Sequence, residues 1–153
     1  MNEYMKIAKE LSEDNLKTKN GGPFGAVIVK DNEIVGRGSN MVLKSNDPTS
    51  HAEIVAIREA CKTLNTYDLS GCELYTSCYP CPMCLSAIIW ANIKKVYYGN
   101  TKEDANNIGF RDKLIYDFIN NPDNNILSLE SIDRDETIKV FEEYMKDNDK
   151  TVY

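Results

Sequence analysis

The sequence predicts an α/β sandwich, with a mixed sheet held between helices. Three observations predict it. Residues 24–38 read as two strand-like runs joined by a two-residue polar turn, the signal of a hairpin. After the hairpin, strand-like and helix-like stretches alternate to residue 130. The two stretches richest in chemistry-bearing side chains, Ser50–Glu53 and Cys78–Cys84, each open a predicted helix, where open-sheet proteins place their sites.

Residues 2–18 predict an amphipathic helix, with Tyr4, Ile7, Ala8 and Leu11 on one face and Lys6, Lys9, Glu10 and Glu13 between them. Asn20-Gly21-Gly22-Pro23 ends it. Phe24–Lys30 is the first strand, Asp31-Asn32 the turn, and Glu33–Gly38 the antiparallel partner. Gly36 and Gly38 thin the second strand's side chains toward Asn40, leaving its backbone open to close approach. Lys44–Pro48 is a polar loop, and Ser50-x-x-Glu53 has the form of a capping box. The helix it opens carries Ile54, Ile57, Cys61 and Leu64, flanked by Ala52, Ala56 and Ala60. Glu73–Ser77 is a third strand running into the cysteine loop. Pro82 stands at a favoured first helical position, and the helix 82–92 is apolar enough to need cover on nearly all sides. Lys95–Gly99 is a fourth strand, residues 102–122 are irregular to helical, and Ile126–Glu130 is a candidate fifth strand. Asp133-x-x-Glu136 caps a last helix, with Ile138, Phe141, Tyr144 and Met145 inward.

The 153 residues fit one domain. With 42% hydrophobic and 27% charged residues, the chain has the composition of a folded globular protein. Asn2, Glu3 and Lys6 interrupt any signal-peptide pattern. The longest apolar run is Ala87–Ala91, far below the ~18 residues of a membrane helix. No membrane and a cytoplasmic location are therefore expected. Five cysteines, three of them within Cys78–Cys84, suit a metal site in a reducing compartment better than a disulfide framework. The net charge is −6, and residues 101–153 supply all of it. A protein gripping a nucleic acid shows a basic footprint, and this chain shows none.

His51 is the single histidine, and Cys81 and Cys84 follow as P-C-x-x-C. One imidazole and two thiolates suit zinc, and three protein ligands leave a fourth position open to water, as in catalytic sites. Glu53 lies two residues from the histidine, placed to take a proton from that water and return protons to a ring nitrogen and a departing amine. Each part alone has a plainer use. C-x-x-C also occurs in structural zinc half-sites and redox pairs, and Glu53 also fits a capping role. Their conjunction, H-x-E followed by P-C-x-x-C, is the zinc-deaminase signature. Cys72 reads as core. Cys78, so near the ligands, would close the site if it bound as well.

Gly22–Val29, Asn46–Thr49, His51-Ala52-Glu53 and Pro80–Cys84 resemble the cytidine deaminase-like superfamily, in the branch holding guanine deaminases and tRNA adenosine deaminases. Trp90-Ala91, Ile108-Gly109-Phe110-x-Asp112 and the terminal Tyr153 resemble the small bacterial guanine deaminases. The resemblance covers most of the chain. It implies a three-layer α/β/α sandwich with a five-stranded mixed sheet, formed by 1–153 as a single deaminase domain. It also implies one zinc per subunit and a homodimer in which 133–153 is exchanged. The implied reaction is hydrolysis of guanine to xanthine and ammonia, with His51, Cys81 and Cys84 on the metal and Glu53 as proton shuttle. Asn40 and Phe24 would hold and stack the base, and Asp112 would read its polar edge. Ala52, Trp90 and Tyr153 would complete the pocket. The alternatives are a tRNA adenosine deaminase, a deaminase of cytosine, a nucleoside or an s-triazine, and a non-catalytic zinc module. At position 79 the family usually has glutamate and this chain has Tyr79; Ser86 stands where glycine is common.

Overall fold

In the computed structural model, which describes residues 1–153, the hairpin forms as the sequence predicts. Strand β1, Gly25–Lys30, pairs antiparallel with β2, Glu33–Ser39. Asp31 and Asn32 both take positive φ, as a tight hairpin turn requires. The other edge of β1 pairs antiparallel with β3, Glu73–Cys78, and β3 pairs parallel with β4, Lys95–Asn100. The sheet is mixed, in the order β2-β1-β3-β4.

Helices cover both of its faces because β1 is buried on both. Val27 and Val29 point to helix α1, Glu3–Thr18, and pack with Tyr75 against Tyr4, Ile7 and Leu11. Ala26 and Ile28 point the other way, to α3, Ala52–Leu64, and α4, Pro82–Trp90. This alternation is the period of two that a pleated strand imposes. The remaining helices are α2, Val42–Ser45; α5, Lys102–Asn107; α6, Asp112–Asn120; and α7, Arg134–Lys146. None is long and apolar enough to cross a membrane.

Helix α3 comes unusually close to β2, and the thinned strand is the reason. A Cβ at Gly38 would lie 2.1 Å from the Ala52 carbonyl oxygen, and one at Gly36 would lie 2.4 Å from that of Ala56. The deepest row of α3 is accordingly Ala52, Ala56 and Ala60, one per turn and fully buried. Ile54, Ile57, Cys61 and Leu64 are only half-buried.

Several details differ from expectation. The sheet has four strands, not five. Residues 126–130 form no strand, because Ile126 and Leu127 return their N–H groups to the Asp123 carbonyl in a turn. Neither expected capping box forms. His51 is the N-cap of α3, Ser50 Oγ donates to Asp47, and Glu53 faces inward. Asp133 caps α7 with left-handed backbone and no side-chain bond. Helix α4 buries Cys84 and Ile88 but exposes Ile89 and Trp90, at 68% and 63%. Contacts divide the chain into two compact units, Met1–Tyr116 and Asp117–Tyr153. The first holds the whole sheet. In the second, Phe141 and Met145 on α7 are exposed, at 70% and 69%, rather than inward.

Gly38→Ala is expected to cost about 1–3 kcal/mol by overpacking, because the methyl meets backbone rather than a flexible side chain. It should lower the urea midpoint and, by displacing the start of α3, lower zinc occupancy. An unchanged midpoint would show that the helix can move away freely.

Candidate active site

Two helix starts converge behind the carboxyl end of β3. His51, in extended backbone, leads into α3, and Cys81, also extended, leads into α4 with Pro82 first in the helix. Cys84 follows one turn in, fully buried. His51 Nδ1 lies 3.4 Å from Cys81 Sγ and 3.6 Å from Cys84 Sγ. All three donor atoms fall within 4.8 Å of one another. A tetrahedral ion with ordinary Zn–S and Zn–N bonds would put nitrogen and sulfur about 3.6 Å apart. The donor set and its spacing therefore fit zinc, and the sequence-predicted ligands are the residues brought together. Cys78 points elsewhere, its Sγ 3.5 Å from the Thr101 carbonyl oxygen.

The electrostatics match a metal site. A hydrogen bond from Cys84 and the neighbouring imidazole hold the Cys81 thiol well below its usual range. The same bond, with burial and the Glu53 charge, pushes Cys84 up. His51 is raised, first by its bond to Cys81. A cation placed among these groups relieves the conflict by stabilising both thiolates.

Glu53 is buried. Its Oε1 accepts a hydrogen bond from Thr76 Oγ1 at 2.9 Å, and the carboxyl is among the groups lining the pocket. Burial raises its pKa. Thr76 sits inside β3, fully buried, and nothing in the sequence pattern marked it as a partner of Glu53.

Phe24, Asn40, His51, Glu53, Cys78, Tyr79, Cys81, Phe110 and Asp112 line one pocket, about 360 Å³ counted to its open mouth. Asn40 is built in from three sides. Its N–H donates to the Phe24 carbonyl, its own carbonyl accepts from Asn15 Nδ2, and its Oδ1 accepts from Val42 N–H. The amide NH₂ is the end left for a ligand. A Cβ at Gly21 would lie 2.0 Å from Asn40 Oδ1, so only glycine fits there. Phe110 meets Phe24 edge-on at 4.8 Å. Asp112 is raised chiefly by burial, then by the Cys81 charge. Ala52 is buried at the first position of α3. Trp90 is at the far end of α4 and is not among the lining residues. Tyr153 is 76% exposed in the second unit. The Phe110 ring stands on the pocket wall, a place that no periodicity in its segment signals.

Residues 1–100 match the cytidine and deoxycytidylate deaminase zinc-binding region. The chain belongs to this zinc deaminase family. It is 53% identical over 119 residues to the guanine deaminase of Bacillus subtilis (strain 168), spanning 78% of this chain and 76% of that protein. It is 50% identical over 76 residues, half of each chain, to the tRNA-specific adenosine deaminase of Aquifex aeolicus (strain VF5). The X-ray structure of guanine deaminase from Bacillus subtilis superposes with a TM-score of 0.93 at 44% identity, covering 100% of this chain and 99% of that one. As in its family, the deaminase binds zinc, and the His51, Cys81 and Cys84 triad is the ligand set that the geometry supplies.

The loop that delivers His51 is held by Asp47. Its Oδ1 accepts from Thr49 N–H and Oγ1, and its Oδ2 from Ser50 Oγ. These bonds, that from the Thr49 hydroxyl foremost, lower its pKa to about 2. A carboxylate lowered in the folded state adds stability above its unfolded pKa and loses it as pH falls through the folded one. Asp47→Asn should therefore melt below the parent at neutral pH, with the gap closing between about pH 4 and pH 2. Melting temperatures measured on both proteins across that range check this; a gap that stays constant would assign the loss to something other than the charge.

Proposed function

We propose that this chain is a zinc-dependent guanine deaminase, hydrolysing guanine to xanthine and ammonia. The observation that carries the proposal is the 53% identity to a guanine deaminase over three quarters of each protein. The pocket is consistent with it: small, walled by Phe24 and Phe110, with one amide and two carboxylates facing inward.

In the reaction the C2–N bond of guanine breaks, a C2–O bond to water forms, and the amine leaves as ammonia. Zinc, when bound, lowers the pKa of water toward neutrality so that it can attack. His51, Cys81 and Cys84 hold the ion. Glu53 takes the proton of the attacking water and returns protons to a ring nitrogen and to the leaving amine, while Thr76 holds its Oε1. The raised pKa of Glu53 suits a group that must carry a proton between steps. The Asn40 NH₂ donates to an acceptor on the base, Phe24 stacks on its face, Ala52 backs the site, and Asp112 accepts from its N–H edge.

The proposal extends to the assembly. It takes the chain as one deaminase domain whose segment 133–153 is exchanged in a homodimer and closes the partner's site, with Trp90 and Tyr153 helping to wall the pocket. The exposed Ile89, Trp90, Phe141 and Met145 support an apolar contact of this kind. Five free thiols support a cytoplasmic location.

The match to a tRNA adenosine deaminase favours a second substrate. Against it stands the net charge of −6, where binding an RNA hairpin calls for a basic face. Ammonia release measured over guanine, guanosine, adenine, cytosine, cytidine and ammeline, beside a tRNA inosine assay, separates the two. Guanine should be turned over first and tRNA left unedited; the reverse order overturns the assignment.

Glu53→Gln should lower kcat by about 100- to 10,000-fold with zinc retained; full ammonia release by the variant would remove Glu53 from the mechanism. Asp112→Ala should cut kcat/KM for guanine by about 10- to 100-fold, the loss of a bond to a charged acceptor, at unchanged zinc content. Wild-type guanine kinetics in that variant would end its role in recognition.

A further inference from the structure

Tyr79 stands in the cysteine loop among other rings and a cation. Tyr79 lines the pocket. Lys102 Nζ sits between two rings, 4.6 Å from the centroid of Tyr79 and 4.3 Å from that of Tyr116. Tyr98 meets Tyr79 edge-on at 5.0 Å. Tyr116 Oη donates a 2.8 Å hydrogen bond to the Pro80 carbonyl, next to the ligand Cys81. Three separate elements are tied at one point: the cysteine loop, the start of α5 and the middle of α6.

Helix α6 needs such a tie. It is nine residues long and buries none of them fully, so packing alone holds it weakly. Yet its first residue, Asp112, is on the pocket wall. Tyr116 stands four residues after Asp112, on the same helical face. A carboxylate that must meet a substrate edge needs its helix fixed, and the Tyr116 hydroxyl bonds α6 to the cysteine loop.

We propose that Tyr79, Lys102 and Tyr116 form a cation–aromatic clamp that positions Asp112 for recognition of the purine edge, with Tyr116 as the positioning residue. The clamp acts through Asp112 and touches neither the metal nor the reacting atoms. It rests on the proposed role of Asp112 toward the base.

The test is a double-mutant cycle of Tyr116→Phe and Asp112→Ala, with kcat, KM, zinc content and amide hydrogen exchange measured on each protein. Tyr116→Phe keeps the ring beside Lys102 and removes only the hydroxyl. It should raise KM for guanine by about five- to tenfold, the scale of one hydrogen bond, with kcat changed by no more than about twofold and zinc stoichiometric. On the Asp112→Ala background it should raise KM no further. Amides 115–120 should exchange faster, and Lys102→Met should change KM and exchange in the same direction. Independent effects in the cycle, loss of zinc with the hydroxyl, or unchanged exchange would each overturn the clamp. If the parent chain released no ammonia from guanine, the proposed function would fail, and the exchange measurement would still decide whether Tyr116 holds α6.

Discussion

The site depends on two helices beginning within a few ångströms of each other. Imidazole nitrogen and thiolate sulfurs bind one ion only if the starts of α3 and α4 share a small volume, on the same side of β3. Side chains of ordinary size on β2 would push α3 outward. Glycine at 36 and 38 against alanine at 52, 56 and 60 removes that obstacle, so backbone meets backbone. The metal site is thus set by what the packing leaves out. Once the helices are so placed, Glu53 on the first turn of α3 is buried, and burial raises its affinity for a proton.

Much of this was legible in the sequence, for identifiable reasons. The ligands were legible because few arrangements use one histidine and a Pro-flanked C-x-x-C with a carboxylate two residues from the histidine. The hairpin was legible because β1 carries a short, dense apolar run, Ala26–Val29, followed by the polar turn Asp31-Asn32. Gly36 and Gly38 gave away a backbone open to close approach, though not what approaches it. What failed was local chemistry overridden by tertiary contact. Ser50 and Glu53 fit a capping box in pattern, but Asp47 and Thr76 offer each a partner in three dimensions. Ile126–Glu130 has strand-like composition, but Asp123 gathers its backbone bonds first.

The pocket residues were harder to find for another reason. Asn40 and Asp112 are common loop and helix residues, and nothing in their neighbours' periodicity distinguishes them. Resemblance, not pattern, brought them forward, and the lining of one pocket by both now stands beside it. Thr76 and Tyr116 were not singled out at all. Each acts through a hydroxyl on a group distant in sequence, and such a bond leaves no trace in spacing.

Asn15 carries a consequence for anyone who would redesign this chain. From within α1 it donates to the carbonyls of both Gly22 and Asn40. The amino-terminal helix is therefore a strut of the substrate pocket as well as a cover for the sheet. Trimming it would take the Asn15 donor from both carbonyls, one of them on Asn40, which lines the pocket. A shortened catalytic module, or a fusion that unwinds the first helix, would lose the shape of its pocket while all three metal ligands stayed in the chain. For this fold, the smallest functional piece extends well beyond the stretch that holds the ion.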